Sequence, residues 1–341
     1  MRVLLTGHHG YIGAVLGADL VSAGHDVVGL DTGYFTDRLL GPPPPALPTM
    51  TMDLRDVQAS DLEGFDAVVH LAALSNDPLG SLAPEVTYEI NHRASVLLAQ
   101  AAKQASVGRF LYASTCSVYG ASGGQHLLDE HAPLAPVTPY ARSKVQVEAD
   151  LSRLADETFS PTYLRNATAF GFSPRLRADI VLNNLVGYAL LTGEVRVLSD
   201  GTPWRPLVHV RDISAAFVAL LAAPKDVVHD EAFNIGTEMN NVTVADIAEV
   251  VHTCVPGSTT RITGESGGDP RSYRVDFSKL RARVPGFQAR WGVEAGAEEL
   301  VDAYRRFCLT TAQFSRDFVR LAALQDHIAA GRLDEATLRW R

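Results

Sequence analysis

The stretch Leu5-Thr6-Gly7-His8-His9-Gly10-Tyr11-Ile12-Gly13 decides the fold. A short apolar run, Val3-Leu4-Leu5, leads into it and reads as a buried strand. Ile12, Val15, Leu16, Leu20 and Val21 follow at a spacing that puts them on one face of a helix. Strand, glycine turn and helix in that order form the phosphate-binding corner of a dinucleotide fold. Gly7 suits a tight turn, Gly10 lets backbone N–H groups approach an anion, and Gly13 lets the helix pack close to the strand. The helix start then offers unpaired donors and a positive dipole end.

The spacing is G-x-x-G-x-x-G, which an ordinary strand-to-helix turn can also carry. The residues after it make it specific. His25-Asp26-Val27-Val28-Gly29-Leu30-Asp31 reads as a second strand that ends in an acid. Asp31 lies near the distance, about 20 residues on, of a carboxylate that takes both ribose hydroxyls. It would repel a 2′-phosphate, so NAD is expected rather than NADP.

The chain has 341 residues, enough for one large domain or two modest ones. Its formal net charge of −9 argues against nucleic acid or an anionic membrane as a partner, while leaving room for anionic small molecules at a local basic site. Cys116, Cys254 and Cys308 show no C-x-x-C or zinc-like spacing, so no metal is expected and a reducing cytoplasm is. No apolar run approaches the roughly 18 residues of a membrane span. The N-terminus runs directly into the glycine loop, so no signal peptide is expected.

Strand-like runs alternate with helical patterns up to about residue 165. Beyond the proline loop Gly41-Pro42-Pro43-Pro44-Pro45, a third strand is expected over Thr49 to Asp53, a fourth over Asp66 to Leu71, a fifth over Arg109 to Ala113 and a sixth over Pro161 to Arg165. Helices are expected at 85–105 and 139–157. The pattern predicts an α/β fold: a Rossmann-type doubly wound parallel sheet with a smaller, mixed α/β substrate domain at its C-terminal side. The expected division is 1–170 for dinucleotide binding, with later segments returning to it, 171–308 for substrate, and 309–341 as a helical extension. Further helices are expected at 179–192, 211–222, 243–254 and 294–307.

Two constellations could carry chemistry. Pro139 can start a helix that sets Tyr140 and Lys144 one turn apart on the same face. An ammonium beside a phenol favours the phenolate and lowers its ordinary pKa of about 10. Tyr140 could then act as base toward a hydroxyl or acid toward a ketone. A surface contact would have the same spacing. Ser114-Thr115-Cys116-Ser117-Val118-Tyr119-Gly120 closes the fifth strand, at the sheet edge where parallel α/β folds bind ligands. A hydroxyl there could share a proton with Tyr140, or simply bond its own backbone.

These motifs, together with Asp53-Leu54, His70-Leu71-Ala72-Ala73 and Asn91, occur in one order that resembles the extended short-chain dehydrogenases, specifically the NAD-dependent sugar-nucleotide epimerase/dehydratase family, over about residues 1 to 300. The resemblance implies that Gly7, His9, Gly10, Tyr11, Ile12, Gly13 and Asp31 hold NAD, with Asp53 and Leu54 beside the adenine and Leu71, Ala72, Ala73, Asn91 and Ser114 along the cofactor. It implies Thr115, Tyr140 and Lys144 as the catalytic set, Lys144 also holding the nicotinamide ribose. Asn166 and Ala167 would close over the nicotinamide. A nucleotide-diphosphate sugar would meet Asn76, Cys116, Ser117, Asn166, Asn184 and two arginines, Arg205 and Arg271, which suit phosphate. Helices 85–105 and 139–157 would pair with a second copy as a homodimer.

The departures bear on the reaction. The 4,6-dehydratases of this family carry an acid pair in the two positions after the threonine, and the decarboxylases usually keep a carboxylate at the second. Cys116 and Ser117 stand there, as small or hydroxyl residues do in the 4-epimerases. The reading is therefore an epimerase working through a transient 4-keto sugar. A ketoreductase, a dehydratase or decarboxylase with an atypical acid such as Asp77, and a non-catalytic NAD sensor are its competitors. His8 and His9 could touch phosphate, pack locally or face solvent, and Asp77 could be an acid or part of a turn.

Overall fold

The computed structural model describes residues 1–75, 84–120, 126–265 and 271–341. Its strands are β1 (Arg2–Thr6), β2 (Asp26–Asp31), β3 (Thr49–Thr51), β4 (Ala67–His70), β5 (Arg109–Thr115), β6 (Leu127–Leu128), β7 (Ser160–Asn166), β8 (Thr168–Phe170), β9 (Glu194–Val197), β10 (Trp204–His209), β11 (Glu231–Ile235) and β12 (Asn241–Thr243), with two short pairings beyond. Seven of them pair in parallel in the order β3-β2-β1-β4-β5-β7-β11. The chain turns one way from β1 and the other way from β4, so a crevice opens at their carboxyl ends.

Both sheet faces are covered, which is why the strands read as continuous apolar runs. Val3 and Leu5 point to one face, where Leu16 and Leu20 of α1 (Tyr11–Ser22) join the same core. Leu4 points to the other, among Leu98 of α2 (Ala94–Gln104) and Val147 and Leu151 of α3 (Pro139–Leu154). A second core gathers α4 (Val181–Thr192), α6 (Val244–Cys254) and α7 (Val293–Arg306) around β9 and β10, while α5 (Val210–Ala222) packs on α1 in the first core. Among the described residues no helix is long and apolar enough to cross a membrane.

Local differences from the sequence reading have physical causes. The helix expected at 85–105 is interrupted by a π-helical turn, Glu89–Arg93, which sets Asn91 against Leu74. β3 stops at Thr51, because Asp53 caps the turn Leu54–Asp56 by accepting from Arg55 N at 2.9 Å. β11 is a seventh strand that the sequence reading lacked; its five residues fall where apolar and polar positions do not alternate. Residues 309–341 are helical only in part: a π turn, Gln313–Asp317, precedes α8 (Arg320–Ala329), and Leu333 bridges Trp340 beyond it.

Candidate active site

A cleft of about 510 Å³ runs along the carboxyl ends of the central strands. The glycine corner forms one wall. Gly7 takes a φ of +73°, and a Cβ there would sit 2.8 Å from Ala72 N. A Cβ on Gly13 would sit 2.3 Å from Gly7 O, so only glycine allows this close approach. Buried polar bonds fix the corner from below. Thr6 Oγ1 pairs with His70 Nδ1 at 2.7 Å and accepts from Ala72 N at 3.2 Å, while His70 Nε2 meets Ser95 Oγ at 2.8 Å. Burial pushes His70 down to about 3, so the imidazole is neutral at physiological pH.

Asp31 faces the cleft from the end of β2, its carboxylate accepting from His9 N at 3.1 Å and Gly33 N at 2.8 Å. His8 lies beneath the loop: its Nε2 meets Thr49 Oγ1 at 3.0 Å, and its ring fills the space over Gly29, where a Cβ would lie 2.5 Å from it. The glycine cradle, the helix start and the acid at the end of β2 fit a dinucleotide.

Across the crevice, Thr138 accepts from Ala141 N at 3.2 Å and Pro139 opens α3, which fixes where Tyr140 stands. Tyr140, Lys144 and Glu148 follow at one-turn intervals. Lys144 is buried, donates to Ala113 O at 2.7 Å, and carries its Nζ 4.6 Å from the Tyr112 ring and 5.7 Å from the Tyr140 ring. Burial lowers it to about 7 against the opposing pull of Glu148. Thr115 ends β5, lines the cleft and accepts from Ser117 N at 3.1 Å. Glu148 accepts from Ser114 Oγ and is held by Arg165, Nη2 to Oε2 at 2.7 Å. A hydroxyl, a phenol and a buried amine thus line one cleft, suited to moving a proton at a substrate oxygen.

Gly7, Gly10, Tyr11, Ile12, Gly13, Asp31, Asp53, Leu54, Leu71, Ala72, Ala73, Ser114, Thr115, Ser117, Tyr140, Lys144, Asn166, Ala167, Arg205 and Arg271 all line the cleft. Arg205 donates to Trp204 O at 3.0 Å and to Arg271 O, which draws the two arginines together. Four of the expected residues are not among those that line the cleft. Asn91 does not line the cleft: its side chain bonds Leu74 N at 2.7 Å and Leu74 O at 3.1 Å, bracing the loop after β4. His9 reaches Asp31 through its backbone, and its ring lies against His8. Cys116 turns inward and donates to Arg165 O at 3.0 Å; burial pushes its thiol up, away from acid–base use. Asn184 donates to Ala178 O at 2.8 Å within the fold. Asn76 and Asp77 lie outside the described residues.

Several cleft residues escaped the sequence reading. Arg177 and Asp179 form a two-point pair, 2.9 Å at each contact. Burial would raise the Asp179 carboxyl, but Arg177 outweighs it and holds it below the ordinary carboxylate range. Tyr273 and, from the C-terminal segment, Arg320 and Leu324 also line the cleft. Behind the cleft, Glu148 had a readable signal, the continued spacing of four from Tyr140 and Lys144.

Strand order, glycine corner, the acid at the end of β2 and the Tyr-Lys helix are those of an extended short-chain dehydrogenase. The chain belongs to the NAD-dependent epimerase/dehydratase family, whose model matches residues 3–236. It is 26% identical to a UDP-glucose 4-epimerase of Bacillus subtilis, over 89% of this chain and 96% of that one. It is 29% identical to a dTDP-glucose 4,6-dehydratase of Streptomyces niveus, over 89% and 93%. Among solved structures it resembles MoeE5 in complex with UDP-glucose and NAD, with 30% identity, 90% and 99% coverage and a TM-score of 0.77.

Proposed function

We propose that this chain is an NAD-dependent nucleotide-sugar epimerase acting through a transient 4-keto sugar. One observation carries the choice within the family. Thr115, Ser117, Tyr140 and Lys144 line the same cleft, and no carboxylate among its described lining residues is placed to expel water. Asp31 and Asp53 belong to the β2–β3 side, and Asp179 is tied to Arg177. NAD supplies the hydride chemistry when bound. Gly7, Gly10 and Gly13 would hold its pyrophosphate, Asp31 a ribose, and Lys144 the nicotinamide side. Tyr140 takes the proton of the C4 hydroxyl and returns it, Thr115 orients that oxygen, and Lys144 stabilises the phenolate. Arg205 and Arg271 grip the substrate diphosphate.

The test is a panel of UDP- and dTDP-sugars incubated with the protein alone and read by NMR and mass spectrometry. An epimer of unchanged mass, formed without added cofactor, is expected. A product lighter by one water, or a strict need for external NADH, would replace this reading with a dehydratase or a ketoreductase. The sparse, unpaired cysteines support a cytoplasmic setting. Leu97, exposed on α2, supports pairing of α2 and α3 with a second copy; a monomer by sedimentation equilibrium would refute the homodimer.

A further inference from the structure

The C-terminal segment is built into the cleft wall. Trp340 Nε1 donates to Thr32 O at 2.6 Å, Tyr34 Oη donates to Leu338 O, and His327 Nε2 meets Tyr34 O at 2.8 Å. The segment therefore braces the residues that follow Asp31. It also delivers Arg320, which is 6% exposed. Its guanidinium lies 4.2 Å from the Phe35 ring, and Nη2 donates to Arg175 O at 3.1 Å. Nη1 is buried and has no hydrogen-bond partner among the described residues.

The charges around Arg320 do not balance it. Arg175 and Arg177 share its sign. Asp179 is engaged by Arg177, and Asp31 accepts two backbone N–H groups. Burial first, then the neighbouring arginines, lower Arg320 to about 9. A buried guanidinium with an unused donor, lining a cleft, calls for an anion. Position narrows the choice. Arg320 donates to Arg175 O, and Arg175 Nη1 in turn donates to Phe35 O at 2.6 Å, which sets the guanidinium beside the residues that follow Asp31. Arg320 lines the same cleft as Gly7, Gly10, Gly13 and Asp31, where the glycine corner would gather phosphate.

We infer that Arg320 is a pyrophosphate ligand of the bound dinucleotide, contributed by the C-terminal segment to the cleft that the glycine corner lines. This rests on the NAD site proposed above. The test is Arg320→Met in the full chain freed of nucleotide, titrated with NADH, ADP-ribose and UDP, with thermal melting in the absence of nucleotide. NADH and ADP-ribose affinity should each fall about 10-fold or more, the scale of one charge-assisted contact. UDP affinity should hold, and the nucleotide-free melting temperature should hold or rise, because a buried unpaired cation has been removed. If Met disturbs folding, Arg320→Gln keeps a donor for the Arg175 carbonyl and carries the same comparison. Unchanged NADH affinity, or loss of UDP with NADH retained, would overturn the assignment. Failure of the parent chain to bind NADH would instead overturn the cofactor site itself.

Discussion

Glu148→Gln is the sharpest test of how the scaffold supports the site. The substitution keeps side-chain size and removes the charge that holds Arg165. Both side chains are 7% exposed. Arg165 reaches the carboxylate through Nη2 at 2.7 Å and Nε at 3.2 Å to each oxygen. Breaking a buried ion pair by removing one partner costs about 3–5 kcal/mol, because the other charge stays buried alone. Gln retains one acceptor, so the lower end, about 3 kcal/mol, is expected. At about 2–4 °C per kcal/mol the melting temperature falls by roughly 6–12 °C. Glu148→Gln/Arg165→Met, which removes both charges, should recover at least half of that loss. Lys144 also loses the carboxylate that raises its pKa, so the limb of the pH–rate profile that follows Lys144 should move to lower pH. Urea denaturation and calorimetry of the parent, both single variants and the double variant close the cycle. A single variant within about 0.5 kcal/mol of the parent, or a double variant no better than the single, would refute the reasoning.

Three further outcomes follow from the site. Tyr140→Phe should keep the fold and NAD binding but cut turnover by orders of magnitude; near-normal progress curves would dismiss Tyr140 as the base. Asp31→Ala should weaken NAD more than NADP, and an unchanged ratio in paired titrations would remove Asp31 from the ribose. His70 is held near 3 when folded, against about 6.5 unfolded, so between these values the unfolded chain binds a proton that the folded chain refuses. Its contribution is whole above about pH 6.5 and drains as pH falls, by about 2 kcal/mol at pH 5. His70→Asn should flatten the decline of the urea midpoint on acidification, and an equal slope would contradict the assignment.

The parts of the site legible in the sequence are those whose chemistry is local. The glycine corner works through backbone geometry, Asp31 sits at a fixed distance from it, and Tyr140 and Lys144 are related by one helical turn. What stayed hidden depends on chain return. Arg320 reaches the cleft only because residues 309–341 fold back onto Thr32 and Tyr34, 308 and 304 positions away for the two bonds made by Trp340 and Leu338. Arg177 and Asp179 gain meaning only when β4 and the loop before α4 share a wall. Cys116 was placed by its neighbours in sequence, but the tight turn Cys116–Tyr119 rotates its thiol toward β7.

The His8 ring over Gly29 makes two distant positions share one volume. A glycine inside a strand carries an entropic cost, so Gly29 persists here as a consequence of what stands at position 8. Shrinking His8 first leaves a hole under the loop; enlarging Gly29 first forces the ring against β2. Either single step is disfavoured, while the paired exchange is not. The two sites are therefore epistatic, and their substitutions should travel together through descent: a bulky residue at 8 with glycine at 29, a small residue at 8 with an ordinary strand residue at 29.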